Sequence, residues 1–134
     1  MRMHKGIMME RIDITGRSGH SSDPSLGRSA MEAMHAVIGE LIALRSEWQD
    51  RYHNPLFGVP YPTLNFGCIH GGDNPNRICG HCSLAFDIRA LPGMAGADSR
   101  NIIGERLKLI ANKYEVGVRY VPLFECVPSF EQAA

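Results

Sequence analysis

The sequence predicts an α+β protein of the ferredoxin-like βαββαβ type, a two-layer sandwich with a four-stranded antiparallel sheet and two helices on one face. Two observations lead to this fold class. Apolar residues recur every three or four positions in two long segments and every second position in shorter ones. In chain order these segments read strand, helix, strand, strand, helix, strand. Because 134 residues are about the length of one domain, we assign residues 1–134 to a single domain with its core at about 6–124.

The first two elements are a strand around Ile12 and Ile14 and a long helix. The two isoleucines alternate with polar neighbours, which is typical of a strand with one buried face. The helix is predicted to run from about Leu26 to Gln49. Asp23-Pro24-Ser25 indicates its start, because a short polar side chain before proline is typical of a helix N-terminus. Its apolar stripe comprises Leu26, Ala30, Met34, Val37, Leu41, Leu44 and Trp48.

Three further strands and a second helix complete the pattern. The strands are predicted from alternating apolar residues: Leu64, Phe66 and Cys68; Leu84, Phe86 and Ile88; and Val116, Val118 and Tyr120. The second helix carries a stripe and is expected to be capped by Asp98 or Ser99; the stripe is Ile103, Leu107, Ile110 and Tyr114. Residues 125–134 show no periodicity, and we interpret them as a segment that leaves the domain.

Composition excludes several classes of function. Fourteen Lys and Arg balance fourteen Asp and Glu, and no run of like charge exceeds two residues. The sequence therefore lacks the basic surplus that nucleic acid or an acidic membrane surface requires. No apolar run approaches the ~20 residues of a membrane span. Four cysteines are too few for a disulfide scaffold in a chain of this length, which favours a reducing compartment, the cytoplasm.

The segment Cys79-Gly80-His81-Cys82 has three interpretations. In thiol redox sites with this spacing, a helix N-terminus lowers the pKa of the first cysteine, but the residues that follow here alternate like a strand. A structural zinc ion is the second interpretation, because neighbouring strands would carry five Cys and His side chains: Cys68, His70, Cys79, His81 and Cys82. The third, which the strand pattern favours, is that these cysteines are structural.

Three further residues are candidates for binding small molecules. His20 lies in a glycine-containing loop before the long helix, where an imidazole could donate to a developing oxyanion. Asn76 lies in the loop before the third strand, and Arg89 lies near the far end of that strand, opposite its apolar residues. An amide and a guanidinium can together bind a carboxylate. Spacing alone favours ordinary roles: a surface histidine, a turn asparagine, and an arginine paired with Asp87 or a neighbour.

Several motifs, however, occur in a particular order. They are Gly19-His20-Ser21-Ser22-Asp23-Pro24, Val59-Pro60-Tyr61-Pro62-Thr63-Leu64-Asn65, Ile69-His70-Gly71-Gly72-Asp73, Asn76-Arg77-Ile78-Cys79 and Asp87-Ile88-Arg89-Ala90-Leu91-Pro92-Gly93-Met94. This order resembles the zinc-dependent metallopeptidase family M20 over about residues 4–128. The resemblance is to the smaller domain only, which is inserted into the catalytic domain of these enzymes and forms their dimer. Residues 125–134 would then lead toward a catalytic domain.

The resemblance implies a reaction and a set of roles. Enzymes of this family hydrolyse amide bonds with two zinc ions, or cobalt, held by the catalytic domain. This sequence contains neither an H-x-D motif nor paired glutamates, so we expect no metal ligands within it and no activity from it alone. We expect a homodimer formed through this domain. By resemblance, His20 stabilises the oxyanion in the partner's active site, Asn76 contacts the substrate, and Arg89 holds the carboxylate of a small acyl-amino acid.

Alternatives stay open at this point. Within the family, succinyl-diaminopimelate desuccinylases and aminoacylases have similar motifs. Outside it, a ferredoxin-like domain can be a free-standing binding module, or a metal or redox protein centred on its cysteines. The pattern also does not decide whether the exposed sheet edge or the long helix makes the dimer contact.

Overall fold

The computed structural model describes residues 2–123 and 130–132, with side chains for 5–123. Its elements are β1 (Arg2–His4), β2 (Gly6–Thr15), α1 (Ala30–Arg51), β3 (Thr63–Gly71), β4 (His81–Ala90), α2 (Gly96–Tyr114), β5 (Gly117–Pro122) and β6 (Phe130–Gln132). A four-stranded antiparallel sheet has the order β3-β4-β2-β5, and β1 pairs with β6 in a separate two-stranded sheet. The predicted α+β, ferredoxin-like fold class is confirmed.

One face of the main sheet packs against the helices. Alternate residues of β2 and β4 are buried, whereas their neighbours lie on the opposite face, here called the open face. The residues predicted for the buried face of α1 are confirmed apart from the first: Ala30, Met34, Val37, Leu41, Leu44 and Trp48 are buried in one apolar core. From α2 the core receives Ile103, Leu107 and Ile110. The open face carries charged side chains such as Asp13 and Arg89 together with apolar ones such as Met9.

Helix α1 begins later than expected. It starts at Ala30, with Ser29 as its side-chain cap, and not at Leu26. Asp23 instead caps a separate 3-10 turn, Pro24–Leu26, and leaves the Leu26 side chain 53% exposed. The prediction was wrong because two capping residues occur in this stretch, and only the second directly precedes the continuous helix.

Helix α2 begins earlier than its expected caps. It starts at Gly96, its N-cap residue is Ala95, and no side chain caps it. The Ser99 hydroxyl donates to the Ala95 carbonyl at 3.2 Å from within the first turn. Neither Asp98 nor Ser99 is therefore the cap, although a carboxylate in the first turn still complements the helix dipole. No helix in the described part of the chain is long and apolar enough to cross a membrane.

A β-bulge in β3 moves Cys68 to the open face. Phe66 is opposite Phe86, but Cys68 is opposite Ala85, so β3 accommodates one extra residue, Gly67. The expected alternation of this strand is therefore wrong at its third member. Glycine is common at such irregularities because it has no side chain to place on either face.

Strands β1 and β6 bring two distant parts of the chain side by side. Arg2 is opposite Gln132 in an antiparallel pair. Most of the segment expected to leave the domain, residues 125–134, lies outside the described residues. Its described part, 130–132, is strand β6. A strand of three residues is too short to be recognised from periodicity.

A buried ion pair joins the sheet to helix α2. Glu10, on the helix-covered face of β2, is 0% exposed, and its Oε1 lies 2.7 Å from Nε of Arg100. Burial and the negative charge of Glu10 raise the pKa of the Tyr120 phenol. The pair links the first turns of α2 to the central strand.

Candidate functional site

Two loops meet at one end of the sheet and carry His20 and Asn76. The first joins β2 to α1, and the second joins β3 to β4. Backbone amides and carbonyls connect them in three hydrogen bonds: Gly16 to Gly80 (2.9 Å), Ile78 to Gly19 (2.8 Å) and Ser21 to Asn76 (3.0 Å). The structure therefore brings together two of the three site residues predicted from the sequence.

Close contact between the loops depends on Gly27. A Cβ atom at this position would lie 2.5 Å from Cδ1 of Ile78 and 2.8 Å from the carbonyl oxygen of Arg17. Distances below 3.0 Å are essentially never adopted by real Cβ atoms, so a larger residue would push the two loops apart. Gly27 thus allows the His20 loop to lie against the segment that precedes β4.

His20 is exposed, and one of its ring nitrogens is already engaged. Its Nδ1 accepts a hydrogen bond from the backbone amide of Ser22 at 3.2 Å, and the Ser22 hydroxyl lies 2.8 Å from the same atom. A backbone amide can only donate, so Nδ1 is the acceptor and the proton of the neutral ring is on Nε2. His20 therefore presents an N–H donor to its surroundings.

Asn76 lies in a turn that Asn74 stabilises. The side-chain oxygen of Asn74 accepts from the Asn76 amide at 3.2 Å, and its backbone carbonyl accepts from the Arg77 amide at 3.1 Å. The Asn76 side chain is exposed, while its carbonyl holds the neighbouring loop. Its amide group is thus accessible to a ligand next to His20.

Arg89 lies at the opposite end of β4. Its Nε is 3.0 Å from Oδ2 of Asp87, and it lies on the open face, as the sequence predicts. It comes eight positions after His81, at the loop end of the strand, which corresponds to about 26 Å at about 3.3 Å per residue. Within one chain, Arg89 is therefore far from the two loops.

The cysteines at the start of β4 favour the structural interpretation. Cys82 lies within the strand, and no helix begins at Cys79. Burial raises the pKa of the Cys82 thiol, and the Cys79 Sγ donates to the His81 carbonyl at 3.1 Å. Without a helix N-terminus to stabilise a thiolate, the redox interpretation has no physical support.

The described residues do not fit a metal ion. Among residues 5–123, whose side chains the structure describes, no group of three or more His, Cys, Asp or Glu is placed to hold one. The zinc interpretation fails because neighbouring candidates face opposite ways: Cys82 points toward the helices and His81 toward the open face. Tetrahedral coordination requires its ligands to converge on one point.

Two depressions lie on either side of the loop between β3 and β4. One, of about 350 Å³, has His70, Arg77 and His81 in its lining. The other, of about 500 Å³, extends to the start of α1 and has Met31, Asn74 and Arg77 in its lining. Sequence analysis did not single out Arg77, whose only signal was its position directly after Asn76. Both depressions thus lie beside the loops and not in the core.

Comparison with known proteins identifies the family. Residues 2–115 match the M20 peptidase dimerisation domain. This chain belongs to that family. This chain is 49% identical over 131 residues to acetylornithine deacetylase of Edwardsiella ictaluri, and the match covers 98% of this chain and 34% of the relative. It is 46% identical over 134 residues to acetylornithine deacetylase of Aliivibrio fischeri, covering 100% and 35%. The chain thus spans about a third of these relatives.

Solved structures share the fold at low sequence identity. A hydantoinase/carbamoylase family amidase from Burkholderia ambifaria matches with a TM-score of 0.77 at 16% identity, covering 95% of this chain and 29% of that one. The structure of AtUAH in complex with glyoxylate matches with a TM-score of 0.76 at 14% identity, covering 96% and 30%. At such low sequence identity these matches show a shared fold only. Any inference about function must therefore come from the loops of this chain.

Proposed function

We propose that this domain is the dimerising and substrate-capping part of a cytoplasmic zinc-dependent amidohydrolase. The enzyme would convert N2-acetyl-L-ornithine to ornithine and acetate, a step of arginine biosynthesis. The support is the identity of 43–49% to eight relatives named acetylornithine deacetylase. Because this domain covers about a third of their length, the reaction belongs to a longer polypeptide, and we expect this chain alone to be inactive.

One surface has the properties of a dimer contact. Strand β3 is an outer strand of the sheet, with one edge not paired to any strand in the described chain. On α1, Met31, Ile38 and Ile42 recur at spacings of seven and four and therefore share one face. We call these three residues the α1 stripe. Met31 and Ile42 are 48% and 40% exposed, so this face of the helix presents apolar surface to solvent.

The α1 stripe runs beside the β3 edge. Near the end of β3, Cε of Met31 is 3.4 Å from the place that a Cβ of Gly72 would occupy. Near its start, Arg45, about four turns further along α1, donates to the Leu64 carbonyl at 3.1 Å. Ile38 and Ile42 lie between these two points. Strand edge and stripe thus form one continuous surface.

A second copy of the domain fits this surface. An outer strand offers unpaired amides and carbonyls, and an apolar stripe next to it loses contact with water when it is covered. Two copies related by a two-fold axis would pair β3 with β3 in antiparallel orientation and place their α1 stripes together. The sequence pattern did not decide whether the sheet edge or the long helix makes the dimer contact, and in this arrangement both would contribute.

This pairing would also assemble the separated site residues. Antiparallel pairing sets Gly71 of one copy near Thr63 of the partner subunit. Within each chain, Thr63 is opposite Arg89, whereas Gly71 directly precedes the loop that carries Asn76. His20 and Asn76 of one subunit would therefore approach the end of the sheet where Arg89 of the partner subunit lies.

The path of the chain indicates which active site each residue serves. Gly6 is opposite Ala90, so β1, and β6 beside it, lie at the Arg89 end of the sheet. In an inserted domain these strands lead to the catalytic domain of the same subunit. Arg89 would then bind the substrate carboxylate in its own subunit, whereas Asn76 would contact the substrate in the partner's site. The His20 Nε2–H would donate there to the oxygen that gains negative charge.

Metal chemistry is assigned to the rest of the polypeptide. The described residues do not fit a metal ion, so the two zinc ions, or cobalt, implied by the family would be held by the catalytic domain. The roles proposed for this chain are limited to hydrogen bonding, orientation of the substrate and dimerisation.

Complementation between inactive variants of the full-length enzyme tests the proposal. When His20→Ala and Arg89→Ala subunits are coexpressed, each mixed dimer should contain one site with both residues intact. About half of randomly paired dimers are mixed, so roughly a quarter of the wild-type activity should return. His20→Ala coexpressed with Asn76→Ala is the matched control, because both residues serve the same site and no mixed dimer has an intact one. Equal recovery in both mixtures, or in neither, would overturn the arrangement across the dimer.

Substrate comparison tests the reaction. The full-length enzyme should have a higher kcat/KM for N2-acetylornithine than for N-succinyl-diaminopimelate or other acylated amino acids. A preference for either alternative would assign the domain to a desuccinylase or an aminoacylase. Lack of hydrolysis of all three classes would favour a binding module.

A further inference from the structure

Both donors that reach Nδ1 of His20 come from a single residue. The Ser22 amide is 3.2 Å from this nitrogen, and the Ser22 hydroxyl is 2.8 Å from it. The imidazole is otherwise exposed, so these contacts are what orients the ring. A ring held at Nδ1 directs Nε2 away from the loop.

We propose that Ser22 is a positioning residue that holds the His20 ring in its orientation and keeps the proton of the neutral ring on Nε2. The inference rests on the proposed function, in which Nε2–H donates to the developing oxyanion. If the proton moved to Nδ1, the contact with the Ser22 amide would be lost, because an amide N–H cannot accept a hydrogen bond, while the Ser22 hydroxyl would have to turn from donor to acceptor. Nε2 would then become an acceptor, which repels an oxyanion. Ser22 thus determines which form of His20 the partner's active site receives.

The loop around Ser22 is built to keep it in place. On one side, the Ser21 amide donates to the Asn76 carbonyl at 3.0 Å. On the other, the Asp23 amide donates to the His20 carbonyl at 3.1 Å. Ser22 therefore lies between two anchored residues. Its amide and hydroxyl are already directed at the His20 ring before substrate binds, so little conformational freedom is lost when the substrate binds.

Kinetics of the full-length enzyme provide the first test. Ser22→Ala keeps the amide contact and loses the hydroxyl, so kcat should fall about 3- to 10-fold, the usual effect of one such hydrogen bond. KM should stay unchanged, because the bond acts on the developing oxyanion and not on substrate binding. Ser22→Thr, which retains a hydroxyl, should recover most of the loss. Ser25→Ala is the matched control: it removes a hydrogen-bonded hydroxyl from the same loop without touching His20, and kcat should be unchanged.

A double-variant cycle separates positioning from general stability of the loop. If Ser22 acts through His20, adding Ser22→Ala to His20→Ala should cause no further loss of kcat. An additional loss in the double variant, or an equal effect of Ser25→Ala, would overturn the inference.

A spectroscopic test does not depend on activity. In protein labelled with ¹⁵N-histidine, the His20 signals, identified by their loss in His20→Ala, should show an unprotonated Nδ1 and a protonated Nε2 in the neutral ring. A protonated Nδ1 would overturn the inference whatever the kinetics show. A correct tautomer together with an unchanged kcat in His20→Ala would instead refute the proposed catalytic role of His20.

Discussion

The backbone carbonyl of Asn76 accepts a hydrogen bond from the amide of Ser21 at 3.0 Å. Ser21 directly follows His20, so this bond fixes the spacing between two residues from loops more than fifty positions apart in the sequence. A substitution that separates the loops should therefore affect both residues at once.

Gly27→Ala should disturb this spacing. Its added methyl would meet Ile78 and the Arg17 carbonyl at less than 3.0 Å, and we expect a cost of roughly 1–3 kcal/mol together with a lower kcat. Gly104→Ala is the control, because no atom beyond its own turn of the helix backbone lies within 4 Å of its Cβ position, and alanine is favoured over glycine in a helix interior by about 0.5–1 kcal/mol. In thermal unfolding, Gly27→Ala should therefore lower Tm and Gly104→Ala should raise it. Shifts of the same sign for the two variants would contradict the prediction.

Ile42→Glu should weaken the dimer. A charge placed in the α1 stripe would have to lose its water when the second copy covers it, which costs several kcal/mol unless the charge is paired. Leu109→Glu is a matched control on α2, because Leu109 is 71% exposed and lies on the other helix. Sedimentation velocity should show a dissociation constant raised at least tenfold for Ile42→Glu only. Dissociation by both substitutions, or by neither, would place the interface elsewhere.

Arg100→Ala should destabilise the domain more than loss of an exposed ion pair. It leaves the Glu10 carboxylate, which is 0% exposed, without its cation, and such losses cost about 3–5 kcal/mol. Arg106, which is also on α2, pairs with the exposed Glu40 and Glu47 of α1, and Arg106→Ala should cost about 1 kcal/mol or less. Urea unfolding measures both differences. Similar values for the two variants would show that Glu10 does not depend on Arg100.

The stability that Ser83 confers should depend on pH through Asp13. The Ser83 hydroxyl donates to the Asp13 carboxylate and, with the charge of Arg11, holds the Asp13 pKa below its usual range against an opposing effect of partial burial. A carboxyl whose pKa falls on folding stabilises the protein above its unfolded pKa of about 3.9, and this contribution disappears as pH falls through the folded value. Ser83→Ala should therefore reduce stability at pH 7 more than at pH 3. The same difference at both values in urea unfolding would refute the coupling.

His20→Ala should lower kcat of the full-length enzyme by about 10²-fold or more, the usual effect of removing one oxyanion donor. His20 is exposed, and substitutions of exposed residues usually change the free energy of unfolding little, so Tm should stay within about 1 °C of wild type. An unchanged kcat would rule out the catalytic role. A large fall in Tm would instead assign His20 a structural role in the loop.

The sequence was most informative where local periodicity decides the structure. The spacing of Met34, Val37 and Leu41 defines a helix face without any knowledge of its neighbours, and the alternation around Leu84 and Phe86 does the same for a strand. The fold class follows from the order of these elements, and the position of Arg89 on the face opposite Phe86 follows from strand alternation alone.

Features that depend on contacts between distant residues were not predictable in this way. The start of α1 at Ser29 and not at Asp23 depends on a distant partner, because Arg28 exchanges backbone hydrogen bonds with Arg17 just before the helix. The bulge at Gly67 is defined only by the pairing of β3 with β4 around Ala85. The contact between Ser22 and His20 was likewise missed, because two serines follow the histidine and only the folded loop shows which one turns back to the ring.

The pairing of β1 with β6 has a consequence for how such a domain can be exchanged between proteins. Arg2 and Gln132 face each other across one strand spacing, about 5 Å, which is no wider than an ordinary hairpin. A host enzyme can therefore accept the whole unit in place of a short surface turn, without moving the elements on either side. We expect a chimera joined at these two strands to fold in an M20 enzyme that has its own version of the domain removed, and a permuted chain with a short linker from β6 to β1 to fold as well.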